Sequence, residues 1–178
     1  MNIGKIFEEQ LGKSVPDYAL IYRLADPAQS FGGGNTRFSA KNPFDFLLWD
    51  SKRHVLYALE AKTVSKKSIS FERTKEDNGD IHLHQIEGLS AWNRFDGIVC
   101  GLVIEFREIK TTIFLDINEM NKVMAEISKK SFTIDDLDKN GISYFVIPQT
   151  KKRTRYTYDL DALFSRNDPV EDKERESE

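Results

Sequence analysis

Two short apolar runs, each ended by a carboxylate, constrain this chain more than any other feature. Asp45 opens the first, Asp45-Phe46-Leu47-Leu48-Trp49-Asp50, and Glu60-Ala61-Lys62 closes the second. Between them Ser51-Lys52-Arg53 reads as a hairpin turn, so the runs are expected to be neighbouring antiparallel strands. Side chains alternate along a strand, which puts Glu60 and Lys62 on one face above Leu56 and Ala58. With a turn of even length, Asp45 falls opposite residue 58 or 60 on that same face. A slip of one residue would turn it away. Two carboxylates and a lysine at adjoining strand ends can hold Mg²⁺ against a phosphodiester and supply a cation beside an attacking water.

The same letters also occur as ordinary surface ion pairs. Context separates the two readings, because an unpaired carboxylate beside apolar strands costs several kcal/mol unless a cation or a donor compensates it.

At 178 residues and 39% hydrophobic, the chain can bury one sizeable core. No apolar run reaches the roughly 20 residues that span a bilayer. Met1-Asn2-Ile3-Gly4-Lys5 lacks the apolar block of a secretory signal, so a cytoplasmic location is expected. Cys100, the single cysteine, lies within Ile98-Val99-Cys100-Gly101-Leu102 and reads as a buried strand thiol.

The formal charge of −3 is unevenly spread. Asp168 to Glu178 carries six acids against Lys173 and Arg175, leaving the body slightly basic. Its bases are bunched at Lys66-Lys67, at Arg73 and Lys75, and at Lys151-Lys152-Arg153 with Arg155. Interleaved with Tyr156 and Tyr158, the last group suits a DNA backbone groove. A lysine-guarded edge strand has the same pattern.

Residues 3–13 read as a helix capped by Asn2, with Ile3, Ile6, Phe7 and Leu11 as its apolar stripe. A first strand is expected over 18–24, then a glycine-rich loop around Gly32-Gly33-Gly34 that carries a large ordering entropy. Residues 63–80 read as polar and basic, 81–93 as a helix, 97–107 and 111–116 as strands. Helices are expected at 118–130 and from a Thr133 cap to 139, then a strand at 142–147. Residues 156–163 would pack on the edge, with disorder beyond Ser165. Clustered strands with flanking helices indicate a mixed α+β or α/β fold.

On the 81–93 helix, Ile81, Gln85, Leu89 and Trp92 share a face, which places an amide in an apolar stripe. Gln85 then either bonds to nearby backbone or points at the strand ends. Glu8 is either solvent-exposed or a further acid at the metal site. His82 and His84 do not share a helix face, and no second ligand pair stands at zinc-site spacing.

Gly4-Lys5-Ile6-Phe7-Glu8, Asp45-Phe46, Leu59-Glu60-Ala61-Lys62-Thr63, Ser70-Phe71 and His82-Leu83-His84-Gln85-Ile86, in this order, resemble the RecU-type Holliday-junction resolvases of the PD-(D/E)xK nuclease superfamily. The resemblance implies a restriction-endonuclease-like core over residues 1–165, a mixed sheet flanked by helices, with 166–178 as a disordered acidic tail. It implies a homodimer that resolves four-way junctions by paired nicks in DNA recombination and repair, with Mg²⁺ or Mn²⁺ as cofactor. Asp45, Glu60 and a backbone carbonyl near Ala61 would hold the metal. Lys62 would stand beside the nucleophile, Gln85 would support it, and Glu8 would be the acid of the first helix. Arg23, Arg37, Lys41, Lys66, Lys67, Arg73, Lys151, Lys152, Arg153 and Arg155 are the candidate DNA contacts. Residues 26–41 occupy the position of the family's stalk, here short and glycine-rich, with Asp26-Pro27 in place of a Thr-Pro turn. Pro43-Phe44, rather than proline alone, precedes Asp45. The short stalk suits a phage or mobile-element version. A restriction-like or repair nuclease acting on duplex or flap DNA, and an inactive DNA-binding module of the same fold, are the competing readings.

Overall fold

The computed structural model describes residues 2–24, 42–153 and 155–168. The expectations for the glycine-rich loop, for Arg37 and Lys41, and for the tail from residue 169 lie outside the described residues.

Helix α1 (Ile3–Gly12) begins where the Asn2 side chain accepts from the N–H groups of Gly4 and Lys5. It buries Phe7, Gln10 and Leu11, while Ile3, expected in the stripe, stays exposed. Strand β1 (Ala19–Arg23) leads to β2 (Phe46–Asp50) and β3 (Val55–Val64). The turn between β2 and β3 is held by Asp50, which is wholly buried and accepts from the N–H groups of Lys52 and Arg53. After β4 (Ser68–Ser70), helix α2 (Leu83–Trp92) carries the chain to β5 (Ile98–Phe106) and β6 (Thr111–Asp116). Helix α3 (Ile117–Glu126), β7 (Ser131–Thr133), α4 (Ile134–Lys139), β8 (Phe145–Ile147), the hairpin of β9 (Gln149–Lys152) and β10 (Arg155–Tyr158), and α5 (Leu160–Ser165) complete the elements of the described residues.

Among the described residues, six strands form one mixed sheet in the order β1-β2-β3-β5-β6-β8. Only β3 and β5 run parallel, because α2 crosses over one face between them; the other neighbours are antiparallel. That face packs Ala58, Cys100, Leu102 and Ile104 against Ile86 and Leu89 of α2 and Met120 and Val123 of α3. The opposite face packs Phe46, Leu59 and Val103 against Phe7 and Leu11 of α1 and Phe164 of α5. A sheet covered on both sides explains why β3 and β5 read as nearly continuous apolar runs.

Several expectations change. Residues 63–80, read as polar and basic, include the end of β3 and the strand β4, which pairs with β7 through Ile69 and Phe132, both fully buried. Each contributes one apolar residue between polar ones, too little for a visible period. Helix α3 ends at Glu126 rather than near 130, since Ile127 has extended backbone. The final core strand shrinks to Phe145–Ile147, and residues 156–163 divide between β10 and α5 at the Asp159 cap. Arg166 to Asp168 continue from α5, with Asp168 gripping the Arg53 guanidinium and Arg166 lying over the Phe114 ring. No helix of the described residues is long and apolar enough to cross a membrane.

Candidate active site

The register of β2 against β3 decides the geometry. Phe46 pairs with Leu59, and the Asp45 N–H donates to the Leu59 carbonyl at 3.1 Å, so Asp45 stands across from Glu60. Phe46 and Leu59 point to the α1 face. Asp45, Glu60 and Lys62 therefore share the face that receives α2. The turn of residues 51–54 is even in length, as this arrangement requires.

Glu60 is 2% exposed. Its Oε1 lies 3.0 Å from the Lys62 ammonium and also accepts from the Gln85 side-chain amide. The Gln85 oxygen in turn accepts the His82 backbone N–H at 2.9 Å, which locks the amide's orientation. Gln85 thus takes the strand-end position rather than bonding only to local backbone. Glu60 Oε2, by contrast, is buried with no hydrogen-bond partner among the described residues. Burial, with the neighbouring Asp45 charge, pushes the Glu60 carboxyl up to about 8, although Lys62 opposes the shift. Burial also raises the Asp45 carboxyl, against the Ala61 N–H that donates to its Oδ2 at 2.9 Å. N–H and C=O of one strand residue project toward the same edge. The Ala61 carbonyl is thus also turned to the Asp45 side, beyond the end of β2.

These groups line a cavity of about 540 Å³ together with Glu8, Thr63, His82 and Arg107. Glu8 reaches it from α1, and its carboxylate is ion-paired with the Arg23 guanidinium at 2.6 Å. The donor set fits a hard divalent cation. An orphaned carboxylate oxygen, a second carboxylate opposite and a β3 carbonyl beyond the end of β2 are oxygen donors that leave room for water. No group of three or more His, Cys, Asp or Glu side chains converges on a metal position among the described residues. His82 is instead 2.7 Å from Glu72 and stacked on His84.

The expected DNA contacts divide. Lys66 and Lys67 are exposed between β3 and β4, and Lys151, Lys152, Arg153 and Arg155 are exposed on the β9–β10 hairpin. Arg23 is engaged by Glu8. Arg73 is engaged as well: its guanidinium donates to the carbonyls of Met124, Ile127 and Lys129, closing the end of α3, and stacks over Phe71. His82 and Arg107 line the cavity without having been singled out for it. His82 stood inside a quoted motif, whereas Arg107, one residue past a strand, carried no sequence signal.

A mixed sheet flanked by helices sets two carboxylates and a lysine side by side, Asp45 just before β2 and Glu60 and Lys62 within β3. Residues 51–162 match the family model described as Recombination protein U, well over half of the chain. The chain belongs to the RecU family of Holliday-junction resolvases, nucleases of DNA recombination. Glu60, Lys62 and Gln85 fall within the matched stretch; Glu8 and Asp45 precede it. Among solved structures the chain is similar to Hjc, a Holliday junction resolvase from the archaeal hyperthermophile Archaeoglobus fulgidus. The identity is 15%, over 76% of this chain and 93% of that one, with a TM-score of 0.46. No match was found among curated proteins.

Proposed function

We propose that this chain cuts four-way DNA junctions as a homodimer by paired nicks, using Mg²⁺ or Mn²⁺ held by Asp45, Glu60 and the Ala61 carbonyl. The observation that carries the reading is the buried Glu60 Oε2 facing Asp45 without a donor, an arrangement that a bound cation compensates. When bound, the cation polarises the scissile phosphate and lowers the pKa of a coordinated water. Lys62, anchored at 3.0 Å on Glu60, keeps its ammonium beside the attacking water and offsets charge developing on the phosphate. Gln85 holds the Glu60 carboxylate in one orientation, so the ligand geometry is set before substrate arrives. Glu8 tempers the Arg23 cation at the rim. The exposed lysines and arginines between β3 and β4 and on the β9–β10 hairpin would track the DNA backbone.

A labelled mobile four-way junction, a flap and plain duplex, each with and without Mg²⁺, test the reading. Wild-type protein should place symmetric paired nicks on the junction only with metal. Lys62→Ala should bind the junction and leave it uncut, and Asp45→Asn should lose metal dependence along with activity. Full nicking by Lys62→Ala would falsify the assignment, and preferred cleavage of duplex or flap would replace the junction as substrate.

A further inference from the structure

We propose that Arg107 and His82 form a phosphate subsite beside the catalytic carboxylates and hold the DNA backbone at a phosphate adjacent to the one cut. The inference rests on the nuclease reading above and names residues of the same cavity that it leaves without a role. Three carboxylates, Glu8, Asp45 and Glu60, line that cavity, so a polyanionic strand needs cations placed there to remain. Lys62 is committed to Glu60, and Arg23 nearby is committed to Glu8.

Arg107 is different. Its backbone N–H donates to the Val64 carbonyl at 3.0 Å, which fixes it one residue past the end of β5, beside the end of β3, the strand that carries Lys62. Its side chain is exposed, lines the cavity and makes no ion pair or hydrogen bond among the described residues. A guanidinium fixed at its base and uncommitted at its tip suits a phosphate, which it can bind through two parallel donors.

His82 supplies the second contact, from the residue that opens α2. Glu72 holds the ring, with Oε1 2.7 Å from Nδ1, and its Oε2 accepts the Leu83 N–H at 2.9 Å. The imidazole is therefore pinned by a carboxylate that is itself pinned by the helix start. With Nδ1 held by Glu72, Nε2 is the ring nitrogen left to face a phosphate oxygen. His82 borders two cavities. The second, of about 510 Å³, is lined by Lys75, His84, Glu72 and Glu87, with no arginine among its described lining. On the catalytic side His82 faces Lys62 and Arg107 as well as Glu8, Asp45 and Glu60, so the strand is placed there.

Junction binding in Ca²⁺, measured against salt, tests the subsite. Each lost phosphate contact should flatten the log–log salt dependence by about one ion. Arg107→Ala should lose that increment, and His82→Gln should weaken junction binding in the same titration. His84→Gln should keep wild-type binding, since His84 does not line the catalytic cavity. Junction cleavage by the two subsite variants should show a raised KM with kcat largely kept. The subsite is overturned if Arg107→Ala and His82→Gln, folded by circular dichroism, keep wild-type salt dependence while the wild type binds and cuts. It is equally overturned if His84→Gln, not His82→Gln, weakens junction binding. A wild type that neither binds nor cuts any of the DNAs removes the nuclease reading itself.

Discussion

Gln85 donates its side-chain amide to Oε1 of Glu60, while Oε2 of the same carboxylate has no donor among the described residues. One oxygen is held by the fold and the other is left for something the protein must bind. The amide cannot rotate without losing the His82 N–H that its own oxygen accepts. A buried carboxylate half-satisfied in this way is unfavourable in the free protein.

That imbalance gives a pH signature. The folded Glu60 carboxyl sits at about 8, against 4.5 when unperturbed, so the folded state holds its proton more tightly than the unfolded state. Metal-free protein should therefore keep this part of its stability below about pH 4.5 and lose it as pH rises through about 8. Glu60→Gln should flatten the decline. Urea unfolding in a chelator across this range measures both, and parallel curves for the two proteins would contradict the account.

Metal affinity should depend on Gln85. Gln85→Ala releases the carboxylate and strands the His82 N–H, and outer-shell losses of this kind typically weaken metal binding about 10–100-fold. Calorimetric titration with Mn²⁺ is the direct measurement. An unchanged affinity would reduce Gln85 to a helix-start bond.

Close packing behind Asp45 can be probed at Gly88. A Cβ there would lie 2.4 Å from Pro43 Cβ and 3.1 Å from Pro43 Cα, so α2 and the segment entering β2 approach this closely only through glycine. Gly88→Ala should destabilise the fold by about 1–3 kcal/mol. Because Pro43 stands two residues before Asp45, junction cleavage should fall further than the unfolded fraction explains. Thermal unfolding and cleavage rate, compared on one preparation, test this.

Arg73 and the Lys66-Lys67 pair should separate stability from DNA binding. Arg73→Ala leaves carbonyls at the end of α3 without their donor, a loss of about 1–3 kcal/mol, with the salt dependence of DNA binding unchanged. Alanine at Lys66 and Lys67 together should reverse the pattern, reducing salt dependence without lowering the unfolding midpoint. Equal loss of DNA binding in both would restore Arg73 to the DNA surface.

Much of the site was legible in the order of residues because its rules are local. Alternation along a strand joins Glu60 to Lys62, an even turn joins both to Asp45, and the helical stripe of Ile81, Gln85 and Leu89 brings the amide inward. Tertiary structure alone decided the rest. The β4–β7 pairing joins residues about 60 positions apart, each strand too short to show a period. Arg73 looked like one more surface base until α3 ended beside it, and Arg107 became part of the cavity only when β5 lay alongside β3. Local sequence sets which way a side chain points along its own element; which distant partner it meets there depends on how the elements pack.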